Sequence, residues 1–132
     1  MPAEDRYASK PLLDKLGVKP GARVGLLRFE DDEFVRQLSE RGAEVSRGRR
    51  RRGLDFLFVS VESSKELATL GEVEPLITRA GAVWAVYPKG RKDLREVDVI
   101  GAGVGFGLVD NKIVRFSDTH SALRFVIPLA RR

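Results

Sequence analysis

The sequence lacks cysteine and contains a single histidine, His120, among its 132 residues. Without cysteine the chain can have no disulfide, no thiolate nucleophile and no cysteine-based zinc site. One histidine cannot supply a cluster of histidine ligands within one chain. A carboxylate-only site for a hard cation would need a ligand spacing such as that of an EF-hand, which this sequence does not have. The sequence therefore predicts no metal site.

Long apolar runs are also missing. No stretch approaches the roughly 18 apolar residues that a membrane-spanning helix requires, and the opening residues MPAEDRYASKP have no apolar core of a signal peptide. With 42% hydrophobic residues, a chain of this length can bury a core of its own. We expect one globular domain over residues 1–132, cytoplasmic and without a membrane partner.

The net charge of +5 owes much to one arginine run, RGRRRR, at positions 47–52. The planar donors of arginine suit phosphates, but charge runs in short loops are usually solvated surface, and here no aromatic residues are interleaved. If the chain binds nucleic acid or another polyanion, we predict that the affinity depends on the last four arginines and falls with salt. These are Arg49, Arg50, Arg51 and Arg52.

Short apolar runs alternate with amphipathic stretches along the chain. The run from Val83 to Tyr87, bounded by Gly81 and Pro88, is too short for a surface helix and predicts a central strand buried on both faces. Similar patterns predict strands at 23–29, 43–46, 54–61, 108–116 and 122–127. Helical spacing and capping signals predict helices at 10–16, 30–41, 63–79 in two segments, with Ser63 as cap, and 93–105.

Strands that alternate with helices favour a parallel sheet with helices on both faces, because each parallel connection needs a crossover. The last two strands are joined only by the turn from Ser117 to His120, which is too short for a crossover, so the last strand must be antiparallel. The expected fold class is α/β: a three-layer Rossmann-like sheet, mostly parallel, of about six strands with an antiparallel C-terminal strand.

Five segments, LGVKPGARVGLL, LDFLFVSV, AGAVWAVYPKG, GLVDNKIV and SALRFV, together resemble a bacterial family of short proteins classed as a domain of unknown function. The resemblance covers nearly the whole chain. Members of that family are similar to a shortened class I S-adenosylmethionine-dependent methyltransferase fold, so the resemblance implies a fold and no activity. His120 stands where an aromatic Trp is usual in the family, and the arginine run replaces a plain loop.

The resemblance raises the question of whether S-adenosylmethionine binds. Its site in such a fold needs glycines after the first strand and an acidic residue at the end of the second. Here Glu30 begins a run of four carboxylates after Phe29, and the second strand ends in Ser46 and Arg47. The carboxylates are better explained as a helix start. We therefore predict no cofactor, with S-adenosylmethionine as the alternative because fold alone does not decide function.

Alternate glycines at positions 101, 103, 105 and 107 could suggest a nucleotide-binding loop. Such a loop follows a strand and opens a helix, whereas this tract ends a predicted helix and precedes a strand. Close packing of the helix on the sheet explains the glycines better.

Parallel strands point their carboxyl ends in one direction, so the residues that follow them should lie along one rim. We predict that Lys89 contacts an anionic ligand there, with Asp118 opposite and His120 beside it. Two alternatives are an ion pair between Lys89 and Asp118 that tethers the turn, and an acid/base role for Asp118, Thr119 and His120. The candidate rim residues are Lys89, Asp118, His120, Arg115, Glu62 and Glu30.

These features favour a non-catalytic or degenerate methyltransferase-like binding or regulatory module over an enzyme. Its expected partner is a small anionic ligand or a protein. One alternative is an S-adenosylmethionine-dependent methyltransferase or other small-ligand transferase that uses the rim. Another is an RNA-associated accessory protein that binds through the run from Arg47 to Arg52.

Overall fold

The computed structural model of the chain describes residues 11–48 and 50–132. Six strands form one sheet, with bounds β1 Arg23–Leu27, β2 Glu44–Arg47, β3 Leu54–Ser60, β4 Ile77–Pro88, β5 Val109–Arg115 and β6 His120–Val126. Within the described residues three α-helices accompany them: α1 Leu12–Leu16, α2 Asp32–Arg41 and α3 Glu96–Gly105. The shorter 3₁₀ helices are Ser64–Gly71, Glu74–Leu76 and Leu129–Arg131.

The strand order across the sheet is β2-β1-β3-β4-β6-β5. Neighbouring strands from β2 to β4 run parallel, whereas β6 runs antiparallel to both β4 and β5. The central strands are apolar on both faces, and Phe58, Val59, Val83 and Trp84 are fully buried. The predicted fold class, including the antiparallel last strand, is confirmed.

Two apolar cores lie on opposite faces of the sheet. On one face α1 and α2 place Leu16, Phe34 and Leu38 against side chains such as Trp84. On the other face the 3₁₀ helix Ser64–Gly71 and α3 place Leu70 and Val99 against residues that include Phe125. Because each face is covered by helices, the sheet is the middle of three layers.

The start of α2 explains the run of carboxylates after β1. The Phe34 backbone N–H donates to the side chain of Asp31 at 3.0 Å, so Asp31 caps the helix. Glu33 lies in the first turn, and its hydrogen bond with Arg36 holds the pKa of the Glu33 carboxyl below its usual value. The interpretation of this run as a helix start is confirmed.

The glycine tract belongs to α3 and the turn after it. A Cβ built on Gly103 would come within 2.2 Å of the Phe125 ring, so this glycine allows close contact between helix and sheet. Cβ atoms on Gly101 and Gly105 would meet nothing within 4 Å. Close packing therefore explains Gly103 and not its helical neighbours.

Two local predictions are wrong. The predicted helical segment to residue 79 stops at Leu76, because β-branched Ile77 and Thr78 already belong to β4, where Ile77 pairs with Leu54. Ser63 lies at the N-cap position as predicted, but its side chain makes no capping hydrogen bond. Instead, the carboxylate of Glu66 accepts the Glu62 backbone N–H at 2.9 Å.

Candidate functional site

The topology marks one position in the sheet as a ligand site. From β1 the chain passes through α2 to β2 on one side, and from β2 it returns to β3 on the other side of β1. The direction of winding therefore reverses between β1 and β3, and open α/β sheets bind ligands outside the carboxyl ends of the strands at such a point. A cleft of about 510 Å³ lies there.

Three segments, together with Val86 of β4, form the walls of this cleft, which we call the carboxyl-end cleft. The turn after β1 contributes residues 28–32, and the end of β3 contributes Ser60 and Glu62. The turn between β5 and β6 contributes Phe116, Ser117, Thr119 and His120. The rings of Phe29 and Phe116 pack edge to face with centroids 5.6 Å apart, so part of the wall is apolar.

His120 links two of these walls by hydrogen bonds. Its Nε2 lies 3.0 Å from Glu62 Oε1, and its Nδ1 lies 2.8 Å from Thr119 Oγ1. An ionised carboxylate only accepts, so Nε2 carries a hydrogen; in the neutral imidazole Nδ1 then accepts from the Thr119 hydroxyl. The structure thus joins Glu62 and His120, two of the predicted rim residues.

The β5–β6 turn is anchored at both ends. The His120 backbone N–H donates to Ser117 Oγ at 3.1 Å, and the Lys89 backbone N–H donates to Thr119 O at 2.9 Å. These bonds fix the turn to itself and to the end of β4. The wall that carries His120 is therefore held in place by backbone contacts.

The turn after β1 has a feature that the sequence analysis did not predict. Arg28 has φ of 57°, a left-handed conformation that glycine adopts without cost and that other residues rarely adopt. Its guanidinium lies 3.7 Å from Glu66, and Asp32 in the same wall pairs with Arg47 at 2.9 Å. The backbone at Arg28 thus has the left-handed conformation typical of glycine, but the residue carries a large cationic side chain.

Carboxylates dominate the charge of the cleft. Glu30, Asp31, Asp32 and Glu62 line it, with Arg28 as the lining arginine. Glu30 is exposed, and within residues 11–48 and 50–132 no lysine or arginine nitrogen lies within 4.0 Å of its carboxylate. A cleft lined by one sign of charge raises the local concentration of ions of the opposite sign. This cleft therefore favours cations.

Lys89 lies in a neighbouring groove of about 280 Å³, lined also by Tyr87, Arg91, Arg95 and Glu96. Burial, followed by the charge of Glu96, raises the pKa of the Tyr87 hydroxyl. Arg91 pairs with Asp93 and also donates to the Glu62 carbonyl, which connects this groove to the carboxyl-end cleft. Lys89 is not among the lining residues of that cleft.

The remaining rim residues lie at the surface of the turn. Arg115 forms an ion pair with Asp118, whose side chain is 92% exposed. In the part of the chain that the structure describes, the ion pairs do not include one between Lys89 and Asp118. The partner of Asp118 is therefore Arg115, within the same turn region, and not Lys89 as in the predicted ion pair.

The arginine run splits into residues with different surroundings. Arg47 pairs with Asp32, and Arg50 pairs with Glu72 at 3.2 Å. Arg51 and Arg52 are exposed, while Arg49 lies outside the described residues.

The described residues contain neither a metal-ligand cluster nor a membrane-spanning helix. Histidine, aspartate and glutamate side chains do not gather there in groups of three or more that could hold a metal ion. Over the same residues, the helices are too short or too polar to cross a membrane.

Comparisons with known proteins show the fold. A methyltransferase described as TehB-like and S-adenosylmethionine-dependent, from Corynebacterium glutamicum, superposes with a TM-score of 0.66 at 11% identity, over 95% of this chain and 93% of its own. A methyltransferase from Pyrococcus furiosus gives 0.57 at 15% identity over 92% and 81%. A fibrillarin pre-rRNA processing protein from Methanococcus jannaschii gives 0.57 at 8% identity over 83% and 67%.

In sequence, no protein-family model matches the chain, and no curated protein matches it. The structural likeness therefore defines a class by architecture: this chain has a methyltransferase-like α/β fold.

Proposed function

We propose that the chain is a methyltransferase-like binding or regulatory module that takes a small ligand in the carboxyl-end cleft and transfers no methyl group. The observation that carries the proposal is the turn after β1. It occupies the place where this class of sheet approaches a ligand with its backbone, and here it presents Arg28, Glu30 and Asp31 instead of bare glycines. The end of β2, where an acidic residue would hold ribose hydroxyls, is Arg47 paired with Asp32.

The ligand that suits this cleft is a small organic cation. Glu30 and Asp31 have no cationic side chain bound to them in the described residues, and the Phe29 and Phe116 rings offer an apolar surface. An ammonium group about 4 Å from the Glu30 carboxylate would be attracted by about 1 kcal/mol at the dielectric constant of bulk water. At the lower dielectric constant typical of a protein surface the attraction would be about 4 kcal/mol. An anionic group would meet repulsion of the same origin. The anionic ligand predicted at Lys89, with Asp118 opposite and His120 beside it, remains a prediction, and Lys89 itself lines the neighbouring groove.

Replacing Glu30 tests the proposal. With spermidine as the probe, the Glu30→Gln variant is expected to bind about fivefold more weakly than the native chain in a calorimetric titration at low salt, because an attraction of roughly 1 kcal/mol is lost. The control is Asp110→Asn, which removes the same charge from β5 outside the cleft. Equal affinity of Glu30→Gln and the native chain, or equal losses in both variants, would refute the cleft as the binding site.

The second candidate is an S-adenosylmethionine-dependent methyltransferase or another small-ligand transferase. The observation in its favour is the fold itself, which matches methyltransferases over nearly the whole chain. Its cofactor would have to enter the same cleft. S-adenosylmethionine carries a net positive charge, so charge alone does not exclude it, but the side chains of the turn after β1 would, and a titration with S-adenosylmethionine therefore separates the two candidates.

A further inference from the structure

A groove of about 520 Å³ runs along β2 at the edge of the sheet, separate from the carboxyl-end cleft. Its lining includes three arginines, Arg23, Arg47 and Arg51, and one carboxylate, Glu44. The charge of this groove is therefore positive, opposite to that of the cleft. We call it the β2 groove.

The arginines of the β2 groove come from different parts of the chain and are held differently. The backbone N–H of Arg23 donates to Asp55 at 2.9 Å, and a Cβ on Gly53 would lie 3.0 Å from Arg23 Nη1, so the guanidinium rests against this glycine. Gly53 has φ of 74°, which favours glycine in the turn. Arg23 therefore has a fixed place beside the loop that carries Arg51.

Arg51 is the arginine that is available to a ligand. It is exposed, and no carboxylate among the described residues lies within 4.0 Å of its guanidinium. Arg23 reaches Glu44 only at 3.7 Å, with both side chains more than half exposed. Exposed pairs of this kind contribute little, so a ligand anion could replace Glu44 as the partner of Arg23.

The edge of β2 adds backbone and side-chain donors. The N–H groups of Glu44 and Gly48 donate toward β1, to Ala22 O and Leu26 O. Successive N–H groups of a strand point to opposite sides, so those of Val45 and Arg47 point to the open edge. The Ser46 hydroxyl, also in the groove lining, is buried without a hydrogen-bond partner in the described residues.

We propose that the β2 groove binds a phosphate group, supplied by a free nucleotide or by an RNA backbone. Arginine guanidinium groups form paired, charge-assisted hydrogen bonds to phosphate oxygens, and the open strand edge offers N–H donors beside them. This inference goes beyond the function proposed for the cleft, because it concerns a different surface and a ligand of the opposite charge. It also narrows the polyanion prediction for the arginine run: Arg51, which lines the groove with Arg23 and Arg47, binds, whereas Arg50 is not among the lining residues and pairs with Glu72.

The test compares two variants that remove the same charge from the same loop. Arg51→Ser removes the arginine that faces the groove, and Arg50→Ser removes one that pairs with Glu72. The probe is a fluorescent oligouridine of about ten nucleotides, long enough for one binding surface, with ATP and pyrophosphate as competitors. Binding is measured by fluorescence anisotropy of the intact chain over a series of salt concentrations.

Arg51→Ser is expected to weaken binding about fivefold or more and to reduce the slope of log affinity against log salt by about one. Arg50→Ser should change either quantity much less. Arg51→Lys keeps the charge but loses the paired donors, so its affinity should lie between those of Arg51→Ser and the native chain. Circular dichroism of all three variants checks that the fold is kept.

The competitors distinguish the source of the phosphate. Displacement of the RNA by ATP or pyrophosphate at similar concentrations would indicate a site for a free phosphate compound, and RNA binding without such displacement would indicate a backbone site. Absence of binding by every probe would overturn the proposal. Equal losses in Arg50→Ser and Arg51→Ser would also overturn it, since they would indicate a general attraction to the positive loop.

Discussion

Gly103 sets the distance between α3 and the sheet, because its missing Cβ leaves room for the Phe125 ring. Gly103→Ala would place a methyl group 2.2 Å from a ring carbon of a fully buried Phe. We expect the free energy of unfolding to fall by about 1 to 3 kcal/mol, the usual range for overpacking. Urea denaturation measures it.

Gly101→Ala is the matched control, since a Cβ at this position meets nothing within 4 Å and the residue lies inside the same helix. Alanine is the better helix former by about 0.5 to 1 kcal/mol, so this variant should be more stable than the native chain. A loss of stability of the same size in both variants would contradict the role assigned to Gly103.

At the scale of elements, the first turn of α3 makes the chain sensitive to acid. The Arg95 backbone N–H donates to the Asp98 carboxylate at 2.8 Å, and this bond, with the Arg95 side chain, holds the pKa of Asp98 below its usual value. A carboxyl group whose pKa is lowered by folding stabilises the folded state above its ordinary pKa, near 3.9 for aspartate, and loses that effect as the pH falls through the folded-state value.

The Asp98→Asn variant should therefore be less sensitive to acid. The difference in unfolding free energy between pH 7 and pH 3, measured by urea denaturation, is expected to be smaller in Asp98→Asn than in the native chain. It should not vanish, because the pKa values of Glu33 and Asp93 are also lowered by hydrogen bonds to arginines. An unchanged pH dependence in the variant would mean that the capping bond does not contribute.

The sequence predicted most elements because local pattern and final structure agree there. The apolar run at Val83–Tyr87 lies in the C-terminal half of β4, and the carboxylate run lies at the start of α2. The prediction from sequence failed at Ile77, which pairs with Leu54 of β3. This pairing extends β4 toward its N-terminus, beyond a shift in register between Leu54 and Phe56. The β-branched side chains of Ile77 and Thr78 favour a strand, but the pairing that fixes where β4 begins involves Leu54 of β3, which the residues around Pro75 could not indicate.

At the scale of the whole molecule, the reversal of winding between β1 and β3 brings the turn after β1, the end of β3 and the β5–β6 turn together around one cleft. The sequence could predict that Glu30, Glu62 and His120 lie at one rim. It could not predict the hydrogen bond between Glu62 and His120, which are 58 positions apart, or that Lys89 lines a separate groove. Both the hydrogen bond and the position of Lys89 depend on the direction in which side chains point at the ends of strands.

If this methyltransferase-like fold binds its ligand without S-adenosylmethionine, as we propose, a calorimetric titration of the native chain with S-adenosylmethionine is the decisive measurement. The turn after β1 offers Arg28, Glu30 and Asp31 where the cofactor would need bare backbone. We expect no saturable heat up to about 1 mM cofactor. This limit corresponds to a binding free energy weaker than about −4 kcal/mol. Saturable binding with a dissociation constant in the micromolar range would contradict it and would favour the methyltransferase.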